Sequence, residues 1–314
     1  MTAAEAAAGA ALVFLGAPGS GKGTYARLLA RTLPLAVRYI EVGSLLRDAA
    51  RKEEEEEEEQ EIVAGMQRRR ASGGVASAVA RGELVKDAGV VEALVWRELC
   101  AARATRSVAL LDGFPRTPSQ ASWLLEHCGA SRVPLVFHLS LHAEAAAAKC
   151  GGRLQCARCG AGFNDAEVDM PLESGERLVL PRLEPPKDCR ASMRRREDDD
   201  TPGVVAARIR LFESTNAHVL RVFEEAGYSR AQSTSIRESE TAENCNARTA
   251  GESRVVHDIE LTRGIPETAA LIARLAARSA VFAEYKSAGG KEDVARMAAS
   301  YGAPKCGLLP SSHK

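Results

Sequence analysis

Short, continuously apolar runs recur along the chain and predict buried strands. They lie at residues 11–15, 37–42, 108–111, 133–139 and 255–261, and helix-length segments such as 24–32 and 88–105 lie between them. Runs without polar alternation are typical of strands that are covered on both faces of a parallel sheet. The alternation of strands and helices therefore predicts an α/β fold with a doubly wound parallel sheet.

Three segments depart from this alternation. Residues 51–70 contain an unbroken run of glutamates at 53–59, which is typical of a solvated helix or a disordered insert. Residues 153–200 are rich in Cys, Pro, Asp and Arg, which indicates a small appended domain, and the polar segment 229–253 is predicted to be a loop. The tail after residue 286 is predicted to be loosely held.

Composition narrows the functional classes. The 314 residues contain 42 Lys and Arg against 42 Asp and Glu, so no basic field exists to hold nucleic acid or an anionic membrane. No apolar run approaches the roughly 20 residues that cross a bilayer, and no leader precedes the first strand. We therefore expect a cytoplasmic protein, or a plastid protein if the sequence lacks its natural N-terminus. The eight cysteines are expected to be reduced thiols or metal ligands.

The first predicted strand runs directly into a glycine-rich loop, Gly16-Ala-Pro-Gly-Ser-Gly-Lys-Gly-Thr24. The spacing fits G-x-x-x-x-G-K, in which glycines allow backbone N–H groups to wrap phosphates at a helix N-terminus and the lysine adds a point charge. The loop therefore predicts the binding of a nucleoside triphosphate. The candidate ATP-binding residues are Gly16, Pro18, Gly19, Ser20, Gly21, Lys22, Gly23 and Thr24, with the Thr24 hydroxyl as a candidate neighbour of Mg²⁺.

A second motif, Asp112-Gly-Phe-Pro-Arg116, follows the apolar run at 108–111. Open α/β sheets carry their ligand-facing residues at the carboxyl ends of the strands. The two motifs together resemble the nucleoside monophosphate kinases, and the adenylate kinases in particular, with a likeness that extends over residues 11–276. The resemblance implies Mg²⁺-dependent transfer, ATP + AMP ⇌ 2 ADP, by a monomer whose partners are ATP, AMP and ADP.

The same resemblance implies a P-loop NTPase-type sheet into which small AMP-binding and lid subdomains are inserted. The core would comprise residues 11–43, 84–150 and 201–283. The AMP-binding subdomain would comprise 44–83 with the acidic insert 51–70, the lid 151–200, and a flexible tail 284–314. The long lid and the segment Arg263-Gly-Ile-Pro-Glu267 are most similar to plant plastid-type adenylate kinases.

Family roles carry over to matching positions. The implied catalytic set is Lys22, Asp112, Arg116, Arg153 and Arg208. Arg153 and Lys149 join the ATP-binding set, with Lys149 in the place of an arginine that covers the adenine. The implied AMP-binding set is Gly43, Arg47, Glu83, Leu84, Val85, Gly113, Arg116 and Gln120. Val42 stands where the family has a threonine, which predicts weaker AMP binding because a polar contact is lost.

Three lid cysteines have the spacing of a metal site that lacks one ligand. Cys156 and Cys159 form a C-x-x-C pair and Cys189 follows, but the fourth place is held by Ser192. A structural zinc needs four good ligands, and serine is not one of them. We therefore predict that the lid holds no zinc.

Two alternatives remain open at this point. One is a different nucleoside monophosphate kinase, such as a GTP:AMP enzyme. The other is a nucleotide-sensing or nucleotide-binding module descended from such a kinase, which the departures at Val42, Lys149 and Glu197 would favour.

Overall fold

A computed structural model describes residues 9–33, 35–52, 88–173, 175, 177–195, 202–232, 254–262 and 264–279. In chain order its strands are β1 (Ala11–Gly16), β2 (Val37–Glu41), β3 (Val108–Asp112), β4 (Leu135–Ser140), β5 (Arg153–Cys156), β6 (Gly162–Asn164), β7 (Val168–Pro171), β8 (Arg177–Leu180), β9 (Met193–Arg195), β10 (Ser229–Gln232) and β11 (Val255–Glu260). The helices are α1 (Lys22–Thr32), α2 (Ala88–Ala104), α3 (Pro118–Cys128), α4 (Ala143–Gly151), α5 (Lys187–Arg190), α6 (Pro202–Glu225) and α7 (Ile265–Arg278). Residues 42–52 are also helical.

The centre of the molecule is a six-stranded sheet in the order β10-β11-β4-β1-β3-β2. All five pairings in it are parallel. Buried residues of α2, α3 and α6 pack on one face and those of α1 and α7 pack on the other. The predicted α/β fold with a doubly wound parallel sheet is therefore confirmed, and each of the five predicted strands is present.

The predicted loop at 229–253 is wrong at its beginning, because β10 pairs in parallel with β11. The polar residues of β10 gave no apolar signal, since this strand lies at one end of the sheet and half of its positions are exposed. Its polar side chains find partners instead: Arg230 Nε donates to Asp258 Oδ2 at 2.9 Å. Tyr228 anchors the approach to β10, because its buried hydroxyl donates to the Val133 carbonyl at 2.7 Å. The remaining positions of the predicted loop lie outside the described residues.

Residues 153–195 contain two small antiparallel sheets instead of an extension of the central sheet. One has the order β6-β5-β9 and the other is the β7–β8 hairpin. The hairpin packs on α4 through the buried side chains of Val168, Leu178 and Leu180, which meet Ala145. The predicted subdomain boundaries stay predictions, and the glutamate run and the tail at 284–314 lie outside the described residues. None of the helices in the described ranges combines the length and the apolar character that a bilayer crossing requires.

Candidate active site

The sequence motifs meet in one open cleft of about 320 Å³ at the carboxyl ends of β1 and β3. Segments that are far apart in the chain contribute to its walls: the glycine-rich loop, the helical residues 42–52, the β3–α3 turn, the beginning of β5, and α6. The predicted site residues that line it are Gly16, Pro18, Gly19, Gly21, Lys22, Gly23, Thr24, Gly43, Arg47, Asp112, Gly113, Arg116, Arg153 and Arg208. This edge of a parallel sheet is where α/β proteins bind their ligands.

Close backbone approaches fix the glycine-rich loop. Gly19 has a φ of +88°, and a Cβ built on it would lie 2.4 Å from the Ala146 carbonyl oxygen of α4. Any other residue would therefore be strained and would collide with backbone. The loop ends where α1 begins at Lys22, so the unpaired N–H groups of the first helical turn face the cleft. This arrangement is suited to binding phosphate.

Lys22 reaches back across the loop. Its ammonium donates to the carbonyl oxygens of Gly16 and Ala17, both at 2.8 Å. Burial lowers the pKa of Lys22 to about 8; the nearby Asp112 carboxylate opposes this shift, and the positive charges of Arg153 and Arg116 add to it. A phosphate group that arrived in the cleft would favour the charged form of this side chain.

The Ser20 hydroxyl is an orphan within the same loop. Its residue is 2% exposed, and among the described residues its Oγ is a buried side-chain oxygen that has no hydrogen-bond partner. A buried hydroxyl without a partner is costly. Ser20, a predicted ATP-binding residue, does not line the cleft, so this unpaired oxygen lies inside the loop and does not by itself point to a ligand.

Asp112 is held at the end of β3 by a residue that sequence reasoning missed. Tyr39 of β2 donates its hydroxyl hydrogen to Asp112 Oδ2 at 2.7 Å. Burial, together with the Asp112 charge, raises the pKa of Tyr39 well above its usual value, so the hydroxyl stays protonated and donates. A Cβ at Gly23 would lie 3.0 Å from Asp112 Oδ2, so a glycine lets the carboxylate approach the start of α1. Only the parallel pairing of β2 with β3, which places Glu41 opposite Asp112, could have indicated that β2 contacts this carboxylate.

Glu41, at the end of β2, was also missed, and it holds two arginine side chains that line the cleft. Its two carboxylate oxygens accept from Arg47 at 3.2 Å and from Arg27 at 2.9 Å. Arg116 is held separately, since its Nε donates to the Gly113 carbonyl at 2.9 Å. Three arginine side chains, those of Arg27, Arg47 and Arg116, are thus held in place along this side of the cleft.

Gln120, a predicted AMP-binding residue, and Val42, predicted to lack a polar contact with AMP, are both buried. Gln120 is buried and does not line the cleft. Its Oε1 accepts from the backbone N–H of Arg116 at 2.8 Å, so it stabilises the β3–α3 turn. Val42 is 1% exposed and packs in the apolar core between the sheet and α2. The predicted AMP-binding residues Glu83, Leu84 and Val85 lie outside the described residues.

Lys149 is not among the residues that line the cleft, and its predicted place over the adenine stays a prediction. It is 8% exposed, and its ammonium donates to the carbonyl oxygens of Ala166 at 2.8 Å, Leu180 at 3.1 Å and Pro181 at 2.9 Å. Burial lowers its pKa to about 8, while the Glu167 carboxylate opposes the shift. An ammonium has three donors and so matches three converging carbonyls, which a planar guanidinium would not.

The three lid cysteines meet as predicted from their spacing. The sulfur atoms of Cys156, Cys159 and Cys189 all lie within 4.8 Å of one another, and the Sγ atoms of Cys159 and Cys189 are 3.8 Å apart. Burial alone would raise the pKa of the Cys156 thiol, but hydrogen bonds from the backbone of Cys159 and Arg158 more than offset it and lower the pKa to about 7. The cluster supplies three of the four ligands of a tetrahedral site, and the absence of zinc stays a prediction.

Several known proteins are similar to this chain over about two thirds of its length. The family model described as adenylate kinase matches residues 14–228. "Probable adenylate kinase 6, chloroplastic" of Oryza sativa subsp. japonica is 39% identical over 201 residues, which are 64% of this chain and 63% of the relative. The protein of the same name from Arabidopsis thaliana is 35% identical over 216 residues, 68% of this chain and 66% of the relative. "Adenylate kinase" of Erythrobacter litoralis is 29% identical over 221 residues, 69% of this chain and 88% of the relative.

The matched part spans slightly less than two thirds of the length of the plant relatives. The matched residues 14–228 make up more than half of this chain. They include the whole glycine-rich loop, the β3–α3 turn and both Arg153 and Arg208, which line the same cleft. By these matches the chain belongs to the adenylate kinase family.

Proposed function

We propose that the chain catalyses the reversible transfer of a phosphoryl group between two adenine nucleotides, ATP + AMP ⇌ 2 ADP, with Mg²⁺. One observation carries the proposal: cationic side chains from four separate segments, Lys22, Arg116, Arg153 and Arg208, line a single cleft, and Arg47 lines it as well. Membership of the adenylate kinase family supports the same reaction. The names of the relatives, which are adenylate kinases, agree with this reaction.

The chemistry asks for charge and position more than for a covalent catalyst. Phosphoryl transfer proceeds when the donor and acceptor phosphates are aligned and their developing negative charge is stabilised. The glycine-rich loop and Lys22 would hold the donor phosphates, and Arg47 and Arg116 would bind the acceptor phosphate. Two separate anion-binding regions in one cleft favour a kinase over a module that binds a single nucleotide.

The residues fit the Mg²⁺ that the family uses. Magnesium prefers oxygen ligands and keeps several waters, so it needs few protein groups. The Asp112 carboxylate and the Thr24 residue both line the cleft, and Tyr39 holds Asp112 in place. When bound with ATP, the ion would neutralise charge on the phosphate oxygens, and Asp112 would orient its waters.

Arg153 connects the chemistry to the lid. It lies at the start of β5, the central strand of the small three-stranded sheet, and it lines the cleft. Closure of this sheet over the nucleotides would bring the guanidinium to the phosphates and exclude water, which would otherwise hydrolyse ATP.

The location we propose is the plastid. The plant relatives are named as chloroplastic in rice and in Arabidopsis, which favours the plastid over the cytoplasm among the two expected locations. Expression of the full gene product with a C-terminal fluorescent tag tests this: the tag should overlap chlorophyll fluorescence, and a diffuse cytoplasmic signal would contradict it.

A coupled assay with purified protein tests the reaction. ATP plus AMP should give ADP, and ADP alone should give ATP plus AMP. Lys22→Ala should lower kcat by at least about 100-fold because a phosphate-stabilising charge is lost. Lys187→Ala, an exposed lid lysine outside the cleft, is the control and should retain full activity. Nucleotide binding without turnover would favour the binding-module alternative, and a preference for GTP as donor would favour the GTP:AMP enzyme.

A further inference from the structure

A chain of polar groups is buried between the sheet and α6, where an apolar contact would be expected. Asp258 of β11 and His138 of β4 are 7% and 8% exposed. His138 Nδ1 lies 2.7 Å from Asp258 Oδ1, and Arg230 of β10 reaches the other oxygen of Asp258 at 2.8 Å. At the far end, His138 Nε2 lies 2.9 Å from the side-chain amide nitrogen of Asn216.

The hydrogen-bond directions follow from the charge state of Asp258. Burial alone would raise the pKa of this carboxyl, but the bonds from His138 and Arg230 more than offset it and hold the pKa below its usual value. An ionised carboxylate only accepts, so His138 Nδ1 must carry the hydrogen. Its Nε2 atom accepts from the Asn216 side-chain amide, because an amide nitrogen only donates. Asn216 of α6 therefore donates to His138, His138 donates to Asp258, and Arg230 donates to Asp258 from the edge strand β10.

His138 touches α6 at two successive positions of one face. Asn216 is bonded to it, and the Phe212 ring stacks on its imidazole with ring centres 6.5 Å apart. Both residues also line the cleft, and so does Arg208, which lies four residues before Phe212. Residues four apart share a helix face. Two of the three residues in this row thus rest on His138, and the third is an arginine of the cleft.

We infer that His138 and Asp258 are positioning residues, which fix the rotation and depth of α6 and thereby set Arg208 against the phosphates. The inference rests on the proposed function. A buried ion pair is weak support for stability by itself, because its desolvation is costly. It does impose one geometry, since sliding or turning α6 would leave buried polar groups without partners.

Three substitutions separate positioning from general packing. His138→Phe keeps an aromatic ring on Phe212 but removes both hydrogen bonds. Asn216→Leu leaves His138, Asp258 and Arg230 bonded to one another and removes only the hydrogen bond between His138 and α6. It therefore replaces His138→Phe if that variant fails to fold. The matched control is His257→Phe, since His257 is equally buried on the opposite face of the sheet and stacks on Phe137. His138→Gln can restore one donor and one acceptor.

We expect His138→Phe and Asn216→Leu to lower kcat by about tenfold, and His138→Gln to recover most of it. His257→Phe should stay within about twofold of the parent protein even if it unfolds at a lower temperature. ADP affinity, measured by calorimetry, should fall several-fold in the first two variants.

A double-mutant cycle with Arg208→Ala identifies the route. If the network acts through Arg208, His138→Phe should have little further effect on ADP affinity or kcat in the Arg208→Ala background. Additive effects would overturn the inference, as would equal losses in His138→Phe and His257→Phe. A parent protein that binds ADP without turnover would contradict the proposed function alone. The double-mutant cycle on ADP affinity would still decide whether the network positions Arg208.

Discussion

Two lysines with similar acid–base behaviour, Lys22 half-buried and Lys149 buried, lie in two regions of this molecule and have different surroundings. Burial lowers the pKa of Lys22 and of Lys149 to about 8 in each case. Lys22 lines the cleft at the glycine-rich loop. Lys149 is enclosed by carbonyl oxygens at the base of the lid. A perturbed pKa marks burial in both, and only the geometry shows which lysine faces a ligand.

The two regions also differ in what holds them. The glycine-rich loop is fixed by backbone that approaches backbone, as at Gly19 and Ala146. The base of the lid is fixed by side-chain bonds, chiefly those of Lys149 and of Asn164, whose amide donates to the Lys149 carbonyl at 2.7 Å. Backbone contacts tolerate almost no substitution, whereas side-chain ties can be rebuilt with other residues. We therefore expect substitutions in the loop to cause large losses of activity, and substitutions at the base of the lid to cause smaller, graded effects.

The largest effect is expected from Gly19→Ala. The added methyl group would lie 2.4 Å from the Ala146 carbonyl oxygen, and φ at this position is +88°. The loop must therefore move away from α4, and misaligned phosphate donors should lower kcat by more than about 100-fold. Steady-state kinetics with ATP and AMP measure this.

The control is the same substitution at Gly203, an exposed position near the start of α6 where an added Cβ has nothing within 4 Å. Gly203→Ala should keep its activity and raise stability by up to about 1 kcal/mol, since alanine favours a helix. Full activity in Gly19→Ala would show that backbone contact does not fix the loop.

The pH dependence of ATP binding should follow Lys22. Above its lowered pKa of about 8, the free protein holds a neutral amine, and a proton must be taken up before an ammonium can meet the phosphates. The dissociation constant for ATP should be flat below that pH and rise by up to about tenfold per pH unit above it. Calorimetry between neutral and alkaline pH measures the profile.

The two lysines supply each other's control. Lys22→Met should bind ATP weakly without the alkaline decline, because the titrating group is gone. Lys149→Met should keep the decline, since Lys149 lies outside the cleft although its pKa is also about 8. An alkaline decline that disappears in Lys149→Met would reverse the assignment.

The sequence predicted the residues of the glycine-rich loop better than the contacts at the base of the lid, for a physical reason. Buried parallel strands and glycine-rich turns are local patterns, so the fold and residues such as Lys22 and Asp112 could be read directly. The partners of Lys149 lie 17 to 32 residues away in the chain, and only the folded β7–β8 hairpin brings them together. Tyr39 and Glu41 were missed similarly, because their roles depend on the pairing of β2 with β3.

A smaller and more local effect is expected when Lys149 is replaced by methionine. Three carbonyl oxygens would lose their donor, which should destabilise the β7–β8 hairpin by about 2 kcal/mol. Hydrogen exchange at the Val179 amide, which donates to the Thr262 carbonyl at 3.2 Å, should report this opening. The KM for ATP should change by less than about threefold, since the side chain does not line the cleft.

Exposed Lys187 provides the comparison variant, and Lys187→Met should change neither readout. If Lys149→Met instead raised the KM for ATP by about tenfold or more with unchanged exchange, the family role over the adenine would be correct.

The smallest effect on catalysis is expected from completing the cysteine cluster. Ser192 follows Cys189 closely, its N–H donating to the Cys189 carbonyl at 2.9 Å, and it holds the fourth place beside three thiols that already converge. Ser192→Cys should raise the zinc content of purified protein to about one ion per chain, because four thiolates satisfy a tetrahedral site. The parent protein and Ser192→Ala should hold much less zinc.

Zinc bound to the folded lid should raise the unfolding temperature of Ser192→Cys, and a chelator should remove the gain. The value of kcat should stay within about twofold of the parent, because Cys156, Cys159 and Cys189 lie outside the residues that line the cleft. Stoichiometric zinc in the parent protein would show that three thiols suffice. In that case a metal ion would fix the lid more rigidly than side-chain hydrogen bonds do. The difference in rigidity between the loop and the lid would then be smaller than the contacts of Lys22 and Lys149 suggest.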